Sequence, residues 1–515
     1  MADWNAGYMA EVEYIHGYYR ELCPGVVNLA ALSRSLQLRQ GRPLRYLELG
    51  FGQGLSLNIH AAATPGEYWG TDFLPAHAIN AQELADASGA NVRVLCDSFA
   101  ELAARDDLPE FDIIAAHGIW SWISQDNRDC IVDLVRRKLA LGGALYISYN
   151  CMPGWAPTLP MRHLMSLHAE YAGTKASGLV SRIDGALDFA QKISEAEGLY
   201  FKVNPAAKMQ LANLREQSRN YLAHEYFNQD WQVMPFAEVA RQLSVAKLEF
   251  GASAQMLLHV DFPNLTEAGK ALLAGIEDTV LRESAFDYLI NQQFRRDIFV
   301  KGRRPLPPPL QLEQIIGERF MLLTHPDDIP MKVNGARGEA GLNKDFFIPL
   351  IATLAENRFE PRTGGELLKA PFMKGQPLKH LMNLLMILIG SGHAHPVQAQ
   401  ALVDEARPRT RSLNTHLLQR ARAGSGVDNL ASPVTGGGFR TTMLEQLFLL
   451  AGEAGHESVE ARARYVWEIL ESQARRLTKS GQPIETPEGN LAEMQVQART
   501  FVNKKLPLLK AAGIA

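Results

Sequence analysis

Residues 46–54 read Tyr46-Leu47-Glu48-Leu49-Gly50-Phe51-Gly52-Gln53-Gly54, and the ligand this stretch suits decides the fold. An apolar run ends at an acid, and three glycines then alternate with larger residues. Such a loop lets a ligand approach the backbone closely. The dinucleotide fingerprint requires glycines at the first, third and sixth positions after the first strand. Counted from Gly50 the sixth position is Leu55, and counted from Gly52 it is Leu57; both registers fail. A P-loop fails too, because no Gly-Lys-Ser/Thr follows. Glu48 lies two residues before the first glycine, where an anion opposes a bound pyrophosphate and favours a cation.

Outward from this loop the chain alternates strand and helix. Strands are expected at 67–71, 92–96, 111–115 and 144–148, and helices at 76–88 and 127–141. Five short apolar strands separated by helices predict a parallel sheet covered on both faces. Asp72 closes the second strand, where a carboxylate can accept both ribose hydroxyls, although NAD-binding folds share that position. Asp97, Ser98 and Phe99 follow the third strand, where an acid and a backbone amide can read an adenine edge. Asp112, at the start of the fourth strand, is expected to be structural. The ligand that fits is a nucleoside without phosphates that carries positive charge, and S-adenosylmethionine is one. The plainer reading of these acids is as helix caps or turn residues; their recurrence at successive strand ends favours the cofactor.

The stretches YLELGFGQGLSLNIHAAATP, WGTDFLPAHAINAQ, FDIIAAHGIWSWIS and GGALYISYNCMPGW make residues 44–155 resemble a class I S-adenosylmethionine-dependent methyltransferase. YLAHEYFN (Tyr221 to Asn228), QQFRRDIFVKG (Gln292 to Gly302) and VEYIHGYYRELCPG narrow the resemblance. They are similar to proteins in which that domain precedes a methyltransferase regulatory domain, including the rickettsial protein-lysine methyltransferases that modify outer-membrane protein B. The resemblance implies a Rossmann-like, seven-stranded α/β methyltransferase sheet, with S-adenosyl-L-methionine as cofactor and S-adenosyl-L-homocysteine as product. The expected cofactor-binding residues are Tyr18, Glu48, Gly50, Gly52, Gly54, Asp72, Phe73, Asp97, Ser98, Phe99, His117 and Gly118. Phe51 departs from the family, which commonly has a small residue there.

Methyl transfer to an amine requires alignment and a neutral nucleophile. A lysine of ordinary pKa is on the order of 0.1% neutral near pH 7.4, so an apolar, aromatic-lined pocket with a few polar acceptors is expected. Ligands bind at the carboxyl ends of such strands, which points to His117 and Trp120 after the fourth strand and Tyr149 and Asn150 after the fifth as catalytic candidates. His117 could relay a proton or hydrogen-bond the cofactor. Trp122 reads as core, and Asn150 could simply fix the turn before Pro153. Trp155, Tyr221, His224 and Tyr226 are the substrate-binding candidates. His224-Glu225 lacks a second histidine at zinc spacing, and no metal is expected. Tyr14 and Tyr18 share one face of an N-terminal helix by their spacing, from which one tyrosine could lid the cofactor or merely pack.

The 515 residues, 46% hydrophobic and 21% charged, exceed one ordinary core. Three regions are expected: 1–160, the cofactor-binding core with an N-terminal lid; 161–304, a helical regulatory or substrate domain able to return late strands from 248–260; and 305–515, a substrate-recognition domain of α+β class, a winged-helix form being one option. Residues 305–309 (PLPPP) read as a linker, 267–300 as helical, 331–341 as a hairpin turning at Asn334-Gly335, and 432–440 (SPVTGGGFR) as a loop. The basic cluster of Arg295, Arg296, Lys301, Arg303 and Arg304 reads as a solvated face or as a docking surface for an acidic segment. A net charge of −4 supplies no global field for nucleic acid, and Asn150-Cys151-Met152-Pro153 is not the Asn-Pro-Pro-Tyr motif of adenine methyltransferases. No nucleic-acid partner is expected. Four dispersed cysteines, no secretory signal and a longest apolar run of LMNLLMILIG at 381–390 point to a cytoplasmic protein with no membrane span. The favoured activity is methylation of a protein substrate presenting lysine. The alternatives are a small-molecule N- or O-methyltransferase of secondary metabolism and a non-catalytic cofactor-binding regulatory protein.

Overall fold

The computed structural model describes residues 16–39, 43–172, 178–228, 230–479 and 481–515, and all side chains within them except those of Asn220 and His224; Tyr14 lies outside the described residues. Apolar runs bounded by turn residues form seven strands of one sheet: β1 (Leu44–Leu49), β2 (Gly66–Thr71), β3 (Val92–Leu95), β4 (Phe111–Ala116), β5 (Leu139–Asn150), β6 (Leu248–Ser253) and β7 (Phe294–Lys301). Their order is β3-β2-β1-β4-β5-β7-β6. The first five are parallel, and β7 runs antiparallel between β5 and β6. The helices are α1 (Pro24–Ser33), α2 (Leu55–Ala63), α3 (Pro75–Ser88), α4 (Phe99–Ala104) and α5 (Gln125–Lys138). Strand order reverses between β1 and β4, which opens a crevice at their carboxyl ends.

The expectation of unbroken helix over 267–300 is corrected. Helices Glu267–Ala274 and Thr279–Ile290 occur, but Asn291 adopts a left-handed conformation (φ 52°) and ends the second, and β7 begins three residues later. The charges in FRRDIFVK conceal a buried strand. Arg295 and Asp297 are interior and pair with each other at 2.7 Å, while Arg296 pairs with Glu21 at 2.9 Å. Arg295 therefore leaves the expected solvated or docking face, whereas Arg303 and Arg304 of the same cluster are exposed.

The two faces of the sheet enter different cores. On one, Leu47, Trp69, Ile114 and Leu145 pack with Ile131 and Val135 of α5 and with Phe236. On the other, Tyr46, Tyr68, Ile113, Tyr146 and Ile298 pack with α1, α2 and residues far along the chain, among them Phe320, Leu417, Phe439 and Phe448. The C-terminal region thus shares its core with the sheet. The mostly helical stretch 155–233 has a core of its own, built on Trp155, Met161, Leu187 and Tyr226.

Other local expectations shift. The prolines at 305–309 form no spacer: the Leu306 N–H donates to the Ser35 carbonyl at 2.7 Å, Leu306 is buried, and a helix starts at Pro308. The hairpin Lys332–Gly335/Gly338–Gly341 turns at Ala336-Arg337 rather than Asn334-Gly335, because Gly335 lies against Pro263 and the Ala336 N–H donates to Asn264 Oδ1 at 3.0 Å. SPVTGGGFR is a second hairpin, Asn429–Ser432 with Gly437–Arg440. The apolar run 381–390 lies in the helix Leu378–Gly390, most of it buried, and among the described residues no helix is long and apolar enough to cross a membrane.

Candidate functional site

All three glycines of the loop after β1 have positive φ: +66° at Gly50, +58° at Gly52 and +73° at Gly54. A side chain at Gly50 would be strained and would also meet Ile119 Cγ2 at 2.8 Å. The loop is tied down from its backbone. Gly50 N–H donates to the Thr71 carbonyl at 2.8 Å, Gly52 N–H to Asp72 Oδ2 at 2.9 Å, and the Gln53 carbonyl accepts from Asn80 Nδ2 at 2.6 Å. Phe51 is buried opposite Gly70 of β2, where a Cβ would meet its ring at 2.8 Å. The large loop residue is therefore matched by a missing side chain on the next strand.

Around this loop, at the carboxyl ends of β1 to β4, lies a cleft open to solvent. Glu48, Gly50 and Gly52 line it from the first loop, Asp72 and Phe73 from the second, Asp97, Ser98 and Phe99 from the third, and His117 and Gly118 from the fourth. Gly54 instead caps α2, with Ala81 of α3 against it. Among the described residues the lining holds three carboxylates and neither lysine nor arginine.

Each carboxylate sits differently. Glu48 is 3% exposed; the Tyr46 hydroxyl donates to its Oε2 at 3.2 Å, yet burial pushes its carboxyl up to about 8. Asp72 takes Gly52 N–H on Oδ2, and Leu74 N–H and His77 Nδ1 on Oδ1, each of the latter two at 3.1 Å. Asp97 accepts from Arg105 Nη1 at 3.0 Å. Ser98 caps α4 in a reciprocal capping box with Glu101, so its capping role and its place in the cleft coexist. Asp112 lies elsewhere, holding Arg45 N–H and Arg39 Nε, each at 2.9 Å.

His117 Nδ1 lies 2.8 Å from the Tyr146 hydroxyl. Burial, with a smaller contribution from Arg296, pushes the imidazole down to about 3, so the ring is neutral at working pH. Tyr19 stacks on it with ring centroids 3.9 Å apart and lines the cleft. Tyr18 does not; its hydroxyl is taken by Gly438 N–H. The N-terminal segment is extended at this point rather than helical, so the neighbouring tyrosines diverge and the helical pairing that favoured Tyr18 does not apply.

The acceptor candidates are dispersed. On the short turn Trp120–Trp122, Trp120 is fully buried and Trp122 lines the cleft, the reverse of the sequence expectation. Tyr149 is fully buried and donates to Asp297 Oδ2 at 2.7 Å. Strand parity explains this: Tyr146 and Ser148 of β5 share the face that reaches His117, whereas Ile147 and Tyr149 face the opposite core. The aromatic of β5 beside the cleft is therefore Tyr146. Asn150 is fixed by its backbone, its N–H donating to Ser121 Oγ at 2.9 Å and its carbonyl accepting from Met234 N–H at 3.1 Å. Trp155 packs on Trp231 and Tyr226 in the separate helical core, the Tyr226 hydroxyl accepts from Gln210, and Tyr221 is half-exposed. None of these lines the cleft, and the His224 side chain lies outside the described residues. Of the N-terminal tyrosines, sequence reasoning favours Tyr18 where its neighbour Tyr19 lines the cleft, and it misses His77 and Asn127; for His77, its place five residues after Asp72 on the first turns of α3 is the available signal.

Comparison with known proteins gives this arrangement a context. The family described as "Methyltransferase domain" matches residues 47–143, and the one described as "Predicted methyltransferase regulatory domain" matches residues 218–301, the segment that supplies β6 and β7. The Synechocystis protein sll1526 is 38% identical over 515 residues, covering 99% of this chain and 100% of its own. The Rickettsia prowazekii protein RP789 is 27% identical over 257 residues, 49% of this chain and 45% of its own. The structure of PKMT2 from Rickettsia typhi in complex with AdoHcy shares the fold at a TM-score of 0.70 and 17% identity, covering 96% of this chain and 99% of that one.

Proposed function

This chain belongs to the class I S-adenosylmethionine-dependent methyltransferases that carry a methyltransferase regulatory domain, and from that premise we propose that it methylates lysine ε-amines of a protein substrate. The observation that carries the methyl-transfer reading is the cleft lining: a left-handed glycine loop beside a buried carboxylate, with two further carboxylates and, among the described residues, neither lysine nor arginine. That lining fits a cationic nucleoside and repels a polyphosphate. In this reading Glu48 holds the cation, Asp72 the ribose, and Asp97 with the Ser98–Phe99 backbone the base. When bound, S-adenosylmethionine supplies an electrophilic methyl with its own leaving group. The remaining work falls to the chain: Tyr19 and Phe51 exclude water, and His117, neutral and held by Tyr146, orients what lies beside it without storing a proton. The protein-lysine acceptor is supported by the sequence resemblance and by likeness to a rickettsial protein named PKMT2.

Incubation with methyl-labelled S-adenosylmethionine and fractionated lysate tests the acceptor. Label is expected in protein, and on acid hydrolysis in methyl-lysine; label confined to small molecules would remove the proposal.

Glu48 predicts the pH dependence of binding. With its carboxyl at about 8, the cleft is mostly protonated at neutral pH, whereas a cation requires the carboxylate. Affinity for S-adenosylhomocysteine should therefore rise by about tenfold per pH unit between roughly pH 6 and 7.5, and Glu48→Gln should bind weakly with no such slope. A variant that kept the slope would show that another group titrates. The sign for stability is opposite. The folded value exceeds the ordinary 4.5, so this group's contribution is complete below about 4.5 and is lost as pH rises through about 8. Ligand-free Glu48→Gln should thus outlast the parent in thermal melts at pH 8.5.

A further inference from the structure

We infer that the C-terminal region is a working part of the cofactor site, positioning both of its walls through contacts remote from the cleft; the inference rests on the cofactor reading alone and not on the identity of the acceptor. The first contact is a latch on the N-terminal segment. The hairpin Asn429–Ser432/Gly437–Arg440 has two glycines facing Tyr18. Gly438 N–H donates to the Tyr18 hydroxyl at 2.6 Å, and His60 Nε2 of α2 lies 3.2 Å from the same oxygen. A Cβ at Gly437 would meet Tyr18 Oη at 2.6 Å and Cys23 Sγ at 3.2 Å, and one at Gly438 would meet the Tyr18 ring at 2.7 Å. The hairpin can approach this closely only because side chains are absent there. Around it, Cys23 Sγ donates to the Gly436 carbonyl at 3.4 Å and Thr64 Oγ1 donates to the same carbonyl at 2.8 Å. Tyr18 is therefore gripped on several sides, and the next residue, Tyr19, is the one that stacks on His117 and walls the cleft.

The second contact reaches the opposite wall. Arg420, on the helix Gln400–Arg422, donates from Nη1 to Asn80 Oδ1 at 3.1 Å. Asn80 turns its amide to the Gln53 carbonyl at 2.6 Å, inside the glycine loop. Arg420 thus fixes which way the Asn80 amide points, and only that orientation aims Nδ2 at the loop. The same helix donates from Ser412 Oγ to the Ala87 carbonyl of α3 at 2.7 Å. Nothing in this arrangement touches the cleft directly, so Tyr18, Gly437, Gly438 and Arg420 are positioning residues, acting through Tyr19 on one side and Gln53 on the other.

The experiment uses the full chain and calorimetric titration with S-adenosylhomocysteine. Gly437→Ala is expected to weaken binding at least fivefold, because the added methyl displaces the Tyr18 hydroxyl. Tyr18→Phe removes that oxygen, so Gly437→Ala/Tyr18→Phe should bind within about twofold of Tyr18→Phe alone, a rescue that general destabilisation would not produce. Wild-type affinity in Gly437→Ala, or a double variant no better than Gly437→Ala, would overturn the latch. If Gly437→Ala fails to fold, Arg420→Met decides: a severalfold weaker complex supports the inference, and unchanged affinity overturns it.

Discussion

Replacing Asp72 with alanine is expected to weaken S-adenosylhomocysteine binding on the order of a thousandfold while the protein stays folded. One carboxylate organises both sides of the cleft: Oδ2 accepts from the glycine loop at Gly52, and Oδ1 accepts from Leu74 and His77 at the start of α3. A carboxylate offers about four lone-pair sites, so one remains for a ribose hydroxyl. Hydrogen bonds to a charged group contribute about 1.5–3 kcal/mol each. Alanine removes the bond to the ligand and also frees Gly52 from α3; two such losses amount to roughly 4 kcal/mol, or about a thousandfold. Asp72→Asn separates the contributions. It keeps the shape and the acceptor toward Leu74 but presents an N–H₂ where Gly52 donates, and it should fall between the two. Titration calorimetry measures the affinities and circular dichroism the fold. An alanine variant binding within threefold of the parent would mean that the ribose is held elsewhere.

The parallel half of the sheet was legible because its signals are local: apolar runs of strand length, glycines where φ must be positive, and an acid at each strand end. The cofactor residues contributed by those loops were legible for the same reason, since a parallel sheet places successive βα loops on one edge. What could not be read depended on partners distant in sequence. FRRDIFVK reads as a solvated basic cluster because nothing local reveals that Arg295 is neutralised by Asp287, which faces it from the preceding helix, Thr279–Ile290. Tyr149 reads as a loop residue after a strand at 144–148, but β5 runs twelve residues, from Leu139 to Asn150, and which of its side chains face the cleft is set by pairing with β4 rather than by composition. The C-terminal hairpin reads as a loop, whereas Gly437 and Gly438 allow close approach to Tyr18. Glycine signals the need for space or for positive φ, and the sequence alone does not distinguish the two.

Arg295 carries the other large expected effect. Its guanidinium, 4% exposed, reaches Asp297 at 2.7 Å, Asp287 at 2.6 Å and Glu283 at 3.0 Å, and it lies over the Phe236 ring at 4.3 Å. Tyr149 adds a bond to Asp297 and Cys151 a weaker one to Asp287 at 3.5 Å. The cluster joins the carboxyl end of β5 to the matched regulatory segment. Arg295→Leu keeps apolar bulk but leaves neighbouring carboxylates buried without a counter-charge, a loss of about 3–5 kcal/mol. That loss must depend on pH. Burial already pushes Asp287 up to about 7 from an ordinary 3.8, and without the cation these carboxyls move further upward. A carboxyl whose folded value is raised contributes stability that is complete below its ordinary range and lost as pH rises through the folded value. Arg295→Leu should therefore lie close to the parent in denaturant midpoint near pH 5 and fall far below it at pH 8. Equal destabilisation at both pH values would assign the role of Arg295 to packing over Phe236 instead of charge. Arg295→Lys discriminates further: it restores one positive charge but cannot reach three carboxylates at once, so it should recover only part of the midpoint at pH 8 and not the three-way pairing that holds β7 against the preceding helix.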